Sequence, residues 1–362
     1  MQIIEDRRAL HRIPELELEL PKTMEYVLNS LSGLNCQVLT PVGCAVCAYF
    51  DFGAESAIGF RADMDALPVS EKNEIPYASA HPGCMHACGH DGHTAILLEL
   101  ARRLSAKKAL SRNVLLIFQP GEETPGGAIG ICRTGILERY KVEAVFGLHL
   151  WPGLDKGVVF SREQEMMAQA TEINVDIYGR SAHLAKAHQG LDAMAAATEL
   201  YRLVAQAEAS WPEGSYQLMK FGKFTSGTVR NAVSGHSRME GTLRSFRDEV
   251  IEGLKQQLRA ACDQVEKSTG CTVKLTMSEG YPAVMNSPAL YRKVRQLVKF
   301  SELEQPNMTA EDFSWYQRYA SGLFFFLGLG DAPALHSDRF DFDEAVLVKG
   351  ADFFEELAEK YV

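Results

Sequence analysis

The stretch AIGFRADMD (57–65) starts as an apolar run and ends in two aspartates. It lacks the polar alternation of a half-exposed strand, so it reads as a strand buried on both faces of a mostly parallel sheet. Three further segments repeat the pattern. VLLIF (114–118) runs into Gln119-Pro120-Gly121-Glu122-Glu123, and VEAVFGL (142–148) runs into His149. GLFFFLGL (322–329) reaches His336 across a Gly/Pro-rich loop. A fifth segment, MHACGHDGHT (85–94), gathers three histidines and a cysteine just before a helical pattern carrying Ile96, Leu97, Leu100 and Leu104. In an α/β sheet, ligands bind outside the carboxyl ends of the strands. Metal-competent side chains at these ends predict one metal site at the mouth of the sheet.

The middle of the chain has another texture. TEINVDIY (171–178) alternates, with Ile173, Val175 and Ile177 on one face. A helical stretch over 189–208 follows, then two polar-alternating strands, YQLMKFGKF (216–224) and HSRMEGTLRS (236–245). A second helix over 248–268 sets Ile251, Leu254, Leu258, Ala261 and Val265 in register, with Gly270 as its stop. VKLTMSE (273–279) closes a β-α-β-β-α-β order, the ferredoxin-like unit. The sequence therefore predicts an α/β domain over 1–168 and 278–362, with a compact α+β module inserted at 169–277.

Bulk properties exclude several function classes. The 362 residues carry a net charge of -10 with no basic block, which argues against nucleic acid or an anionic membrane as partner. No apolar run approaches the ~20 residues that span a bilayer, and the first residues lack a signal pattern. The expected location is the cytoplasm, where the eight scattered cysteines are thiols rather than disulfides. Cys44 and Cys47 have CxxC spacing but no second pair, and read as small buried residues.

Each site segment has a chemical reading and a plain one. Cys88 and His90 precede a helix N-terminus, whose dipole favours a thiolate ligand beside an imidazole. Adjacent Glu122 and Glu123 suggest divided labour, one binding metal and the other taking a proton from water. Asp63 and Asp65 suit either ligation or support of a ligand imidazole. Taken singly, these residues read as a solvated acidic loop, a capped turn or a core histidine. No GxSxG elbow, GxxxxGK[ST] loop or GxGxxG after a strand offers other machinery.

The chain resembles the zinc-dependent aminoacylase and carboxypeptidase amidohydrolases, in the branch of hippurate hydrolases, N-acetyl-diaminopimelate deacetylases and auxin-conjugate hydrolases. The resemblance rests on HRIPEL (11–16), RADMDALP (61–68), MHACGHDGH (85–93), FQPGEE (118–123), GLHLWP (147–152), SAH (181–183), GTVRNAV (227–233), EGTLR (240–244), EDF (311–313) and LHSD (335–338), in that order. It implies a zinc-exopeptidase-like catalytic domain with an inserted lid and dimerisation domain. It also implies two divalent ions per subunit, zinc first with manganese, cobalt or nickel as alternatives, held by Cys88, His90, Glu123, His149 and His336. Glu122 becomes the general base, Asp65 the supporting acid, His183 the oxyanion donor, and Asn231 and Arg244 the binders of a substrate carboxylate. The lid loop departs from the family's H-x-x-x-P-H pattern. Ala187 stands at the proline position, and Lys186 is a cation where the family is apolar.

The expected activity is hydrolysis of the amide of an N-acyl amino acid or a related small conjugate by a homodimer. A dipeptidase or carboxypeptidase on the same scaffold is the first alternative. A non-catalytic metal-dependent binding protein is the second, and Glu122 counts against it because a binder needs no base.

Overall fold

The computed structural model describes residues 1–212 and 214–362. Two compact units emerge. The first comprises Met1–Met166, Val284–Pro306 and Glu311–Val362, and the second Met167–Ala283 with Asn307–Ala310. No helix among the described residues is long and apolar enough to cross a membrane.

The apolar runs of the first unit become the centre of an eight-stranded sheet. Ala57–Asp63 lies between Asn113–Gln119 and Val142–Trp151, parallel to both. Ser321–Gly328 runs parallel to Val142–Trp151 on its far side. Val46–Phe50 extends the other flank antiparallel to Asn113–Gln119. Every residue of Ala57–Asp63 and of Asn113–Gln119 is buried, which is why these runs show no alternation. Helix His90–Ser105 links the first two of these strands as a βαβ crossover. From Ala57–Asp63 the chain moves first to one flanking strand and later to the other. The carboxyl end of that strand is therefore a topological switch point, where a crevice opens.

Helix His90–Ser105 is more deeply buried than a single stripe predicts, with all of residues 90–98 inside. Gly92 explains part of this. A Cβ there would lie 2.7 Å from Leu150 Cδ1 and 3.0 Å from Phe342 Cζ, so only glycine lets the first turn press against the end of strand Val142–Trp151.

In the second unit, four antiparallel strands stand in the order Thr272–Met277, Gln169–Tyr178, His236–Ser245, Gln217–Ser226. The fourth strand in sequence thus sits beside the first, and the third beside the second, as in the ferredoxin-like unit. Ile173, Val175 and Ile177 are buried beneath helices Ala193–Ala209 and Asp248–Thr269. Asp192 caps the first helix by accepting from Met194 N at 2.9 Å, and Gly270 ends the second at φ 72°. Cys262, rather than the expected Ala261, completes the buried stripe of the second helix, and Ala261 is only half-buried.

Candidate metal centre

The carboxyl ends of the central strands and the loop 85–93 bring their polar side chains together. Cys88, His90 and His149 each offer a donor atom within 4.8 Å of the others, as do Cys88, Glu123 and His336. Cys88 is common to both triads. A third triad joins His90, Glu122 and Glu123. Cys88 Sγ lies 3.4 Å from His149 Nε2, and His336 Nε2 lies 3.2 Å from Glu123 Oε1.

The donor atoms have defined states. His149 Nδ1 sits 2.7 Å from the carbonyl of Leu150, which can only accept, so Nδ1 carries the proton and Nε2 presents its lone pair to the cluster. Burial, then His93, keeps this imidazole neutral by holding its pKa well below the usual histidine range. His336 stands at φ 65°, a left-handed conformation that non-glycine residues seldom adopt, and its N–H donates to Ala87 O at 2.8 Å. Asp65 accepts from the backbone N–H groups of Glu122 (2.9 Å) and Glu123 (3.0 Å) and lies 3.5 Å from His90 Nδ1. It thereby fixes the loop that carries both glutamates.

This arrangement fits a divalent cation. His90 is buried, and among the described residues neither of its ring nitrogens has a hydrogen-bond partner. Buried imidazole nitrogens are costly to leave unpaired, and a ligated metal satisfies one. Sulfur, imidazole and carboxylate together form a donor set for divalent transition metals. The thiol differs from the expectation. Burial, followed by the charges of Glu123 and Glu122, pushes Cys88 well above the usual thiol range despite the helix that begins at His90. A thiolate here needs a cation beside it. Burial disfavours the charge on Glu123 too, but His336 and His90 outweigh it and lower its pKa. Glu122 goes the other way, raised well above the carboxylate range by burial, then Glu311 and Glu123. For His90, burial is outweighed by Asp63 and Asp65, which raise it to about 10.

Beneath the cluster lies a buried ionic network that the sequence reading did not resolve. Arg61 Nη1 donates to Asp63 Oδ2 (2.8 Å), Nη2 donates to Asp312 Oδ1 (2.8 Å) and lies 3.0 Å from Glu311 Oε1, and Nε donates to Gln119 Oε1 (2.8 Å). Glu122, Glu311 and Asp312 form another close group of carboxylates. Burial, only partly offset by Arg61, raises Glu311 to about 7 and Asp312 to about 6. One signal could have found this network. An arginine inside the run AIGFRAD cannot stay buried without acidic partners.

The remaining site candidates lie in the second unit. His183 is exposed, and its Nδ1 accepts from Ala185 N at 3.1 Å, which leaves Nε2 as the proton-bearing donor. Asn231 is its neighbour, since Leu184 N–H donates to Asn231 O at 3.1 Å. Arg244 is half-buried beside an open groove of about 700 Å³ that Lys220, Phe221, Asn307 and Met308 also line. Its Nη1 donates to Met308 O at 2.8 Å, and among the described residues no carboxylate pairs with it.

A profile of the peptidase family M20/M25/M40 matches residues 59–360. The chain belongs to this family. A relative, an uncharacterized hydrolase of Staphylococcus saprophyticus, is 34% identical over 99% of this chain and 97% of its own. Among solved structures, a protein of methicillin-resistant Staphylococcus aureus superposes with a TM-score of 0.90 at 26% identity, covering 99% of this chain and 96% of that one. The Bacillus subtilis YXEP protein, described as a dinuclear metal binding peptidase of the M20 family, gives 0.84 at 27% identity with the same coverage. M20 membership makes this chain a metal-dependent hydrolase.

Proposed function

We propose that this M20 hydrolase cleaves the amide bond of N-acyl amino acids or related small conjugates, using two divalent ions and Glu122 as general base. The observation that carries the reading is the pair of triads sharing Cys88, with the Glu122 carboxylate beside His90 and Glu123 but outside both triads. In this assignment Cys88, His90, Glu123, His149 and His336 hold the ions, zinc first among metals that accept mixed sulfur, nitrogen and oxygen donors. Such ions polarise an amide carbonyl and lower the pKa of water.

The chain's own groups do the rest. Glu122 removes a proton from the attacking water and returns it to the leaving amine nitrogen. Glu122, crowded by Glu311 and Glu123, would be available as a carboxylate once cations were held beside it. Asp65 keeps Glu122 and Glu123 in register. His183, with Nε2–H free to donate, stabilises the tetrahedral oxyanion. Arg244, a cation with no acidic partner among the described residues, receives the carboxylate of the amino-acid half, with Asn231 assisting.

Residues 169–277 serve as lid and dimerisation module. Strand Gln217–Ser226 is one of the two edges of its sheet, and Phe224, Tyr201 and Met194 are exposed near it. Edges of this kind pair with another chain, and here the partner is a second copy. Phe224→Glu should shift the particle to monomer in light scattering.

The deciding experiment compares released amine from acetyl- and benzoyl-amino acids with turnover of dipeptides, after stripping and re-adding zinc, manganese, cobalt or nickel. Glu122→Gln should retain metal and lose about 10²–10⁴-fold in turnover. A metal-loaded chain that turns over dipeptides and no acyl-amino acid would convert the assignment to a dipeptidase.

A further inference from the structure

The loop 85–93 holds three histidines, and the structure uses them differently. His90 belongs to the ligand cluster. His93 does not have a free nitrogen to offer. Its Nδ1 lies 2.6 Å from Asp63 Oδ1, and its Nε2 lies 2.9 Å from the backbone N–H of Leu150. A backbone N–H can only donate, so Nε2 must accept and the ring proton must sit on Nδ1, donated to Asp63. The imidazole is neutral, has one permitted tautomer, and is spent at both ends within the fold.

The bond to Leu150 fills a gap in the sheet. Pairing of Val142–Trp151 with Ala57–Asp63 stops at Gly147 opposite Arg61. On the other side, pairing with Ser321–Gly328 continues to Trp151. Past Gly147 the strand therefore has no strand partner on the Ala57–Asp63 side among the described residues. His93 supplies the acceptor that this side lacks. Leu150 is also the residue whose carbonyl orients the His149 ring. Gly92, one residue before His93, lets the helix come close enough to Leu150 for the contact to form.

We infer that His93, backed by Asp63, is a positioning residue for the metal centre: it holds Leu150 N–H and so fixes the strand end that presents His149. The inference rests on reading His149 as a ligand. It gives the first aspartate of Asp63-Met64-Asp65 a role separate from that of Asp65, which organises residues 122 and 123.

Two amide side chains separate the halves of the device. In His93→Asn the amide nitrogen takes the place of Nδ1, keeping the bond to Asp63 and losing Leu150. In His93→Gln the amide oxygen takes the place of Nε2, keeping Leu150. The measurement is Co(II) affinity and absorption spectrum of the metal-stripped full chain, for wild type, His93→Ala, His93→Asn, His93→Gln and His149→Ala. Residues that orient ligands typically account for about 10–100-fold in metal affinity. The expected result is a loss of that size in His93→Ala and His93→Asn, with altered absorption bands, and near-wild-type behaviour in His93→Gln. Rescue by Asn and not by Gln, or wild-type affinity in all three, overturns the inference. A packing role alone predicts no difference in Co(II) spectrum between Asn and Gln. Should His93→Ala not fold, the Asn–Gln comparison still decides. The His149→Ala control separates the two claims: unchanged Co(II) affinity there defeats the ligand reading itself. A loss there, with unaffected His93 variants, defeats only the role of His93.

Discussion

Replacing Arg61 by leucine should be among the most damaging substitutions outside the ligand set. The guanidinium is 2% exposed and reaches Asp63, Glu311 and Asp312 at 2.8, 3.0 and 2.8 Å. Removing one partner of a buried ionic group costs about 3–5 kcal/mol, because the remaining charges stay buried without compensation. The upper part of that range applies here at neutral pH, since three carboxylates lose the same partner. The cost depends on pH with a definite sign. Glu311 and Asp312 already have raised pKa values, about 7 and about 6, and loss of Arg61 raises them further. An acid with a raised folded-state pKa keeps its proton in the fold after the unfolded chain has lost it, so its penalty is absent below the unfolded pKa, grows as pH rises from there to the folded value, and is constant above it. The deficit of Arg61→Leu should therefore shrink between pH 7.5 and pH 5.5. Urea unfolding of wild type and variant at both values measures it. Arg61→Lys should recover only part, since an ammonium cannot reproduce the fork that reaches four partners. A deficit under about 1 kcal/mol at pH 7.5, or one that deepens on acidification, would refute this account of the network.

Gly92→Ala gains about 1 kcal/mol of helix propensity, but overpacking against Leu150, Phe342 and Leu347 costs about 1–3 kcal/mol. The net change in thermal midpoint should be downward. Buried His11 sits 2.8 Å from Asp91 and 3.1 Å from Glu71, which outweigh burial and raise its pKa from 6.5 to about 9. Its contribution, up to about 3 kcal/mol by linkage, should be complete below pH 6.5 and vanish as pH rises through about 9. The stability gap between wild type and His11→Gln, measured by urea at pH 6 and pH 10, should follow that course. Stripping divalent metal should lower the melting temperature, because ions that bind only the folded state stabilise it by mass action. In Cys88→Ser the metal-dependent increment should fall, and an unchanged increment would remove Cys88 from the ligand set.

Much of the first unit was legible because burial on both faces leaves an unmistakable trace. AIGF, VLLIF and GLFFFLGL have no alternation to confuse with an exposed strand, and the side chains that follow them are held where the strands stop. The alternation of Ile173, Val175 and Ile177 was equally plain, since one face of that sheet is covered by helices. What escaped was partnership across long sequence distances. Arg61 meets Glu311 and Asp312 about 250 residues later, and nothing local to RADMDALP names them. The tautomers of His93 and His149 depend on which end of Leu150 each ring faces, which is fixed by the register at which two strands part. The thiol of Cys88 misled for a related reason. A helix N-terminus is visible in sequence, but the burial and the two glutamates that overrule it are not. Short strands such as Val159–Ser161 are too brief to carry a period at all.

The order of strands in the first unit also governs how the protein can be made. Ser321–Gly328 lies between Val142–Trp151 and Val159–Ser161, strands synthesised more than 150 residues earlier. A nascent chain emerging at about 5–20 residues per second must hold a seam open in its central sheet until nearly the whole polypeptide has left the ribosome. His336, eight residues beyond that strand, arrives later still. The second unit, whose four strands are continuous within residues 169–277, can close its sheet while that seam is still open. Metal capture through all five proposed ligands is then an event of the finished chain, and truncation products lacking the last thirty residues, which keep Ser321–Gly328 but not His336, should have no complete metal site.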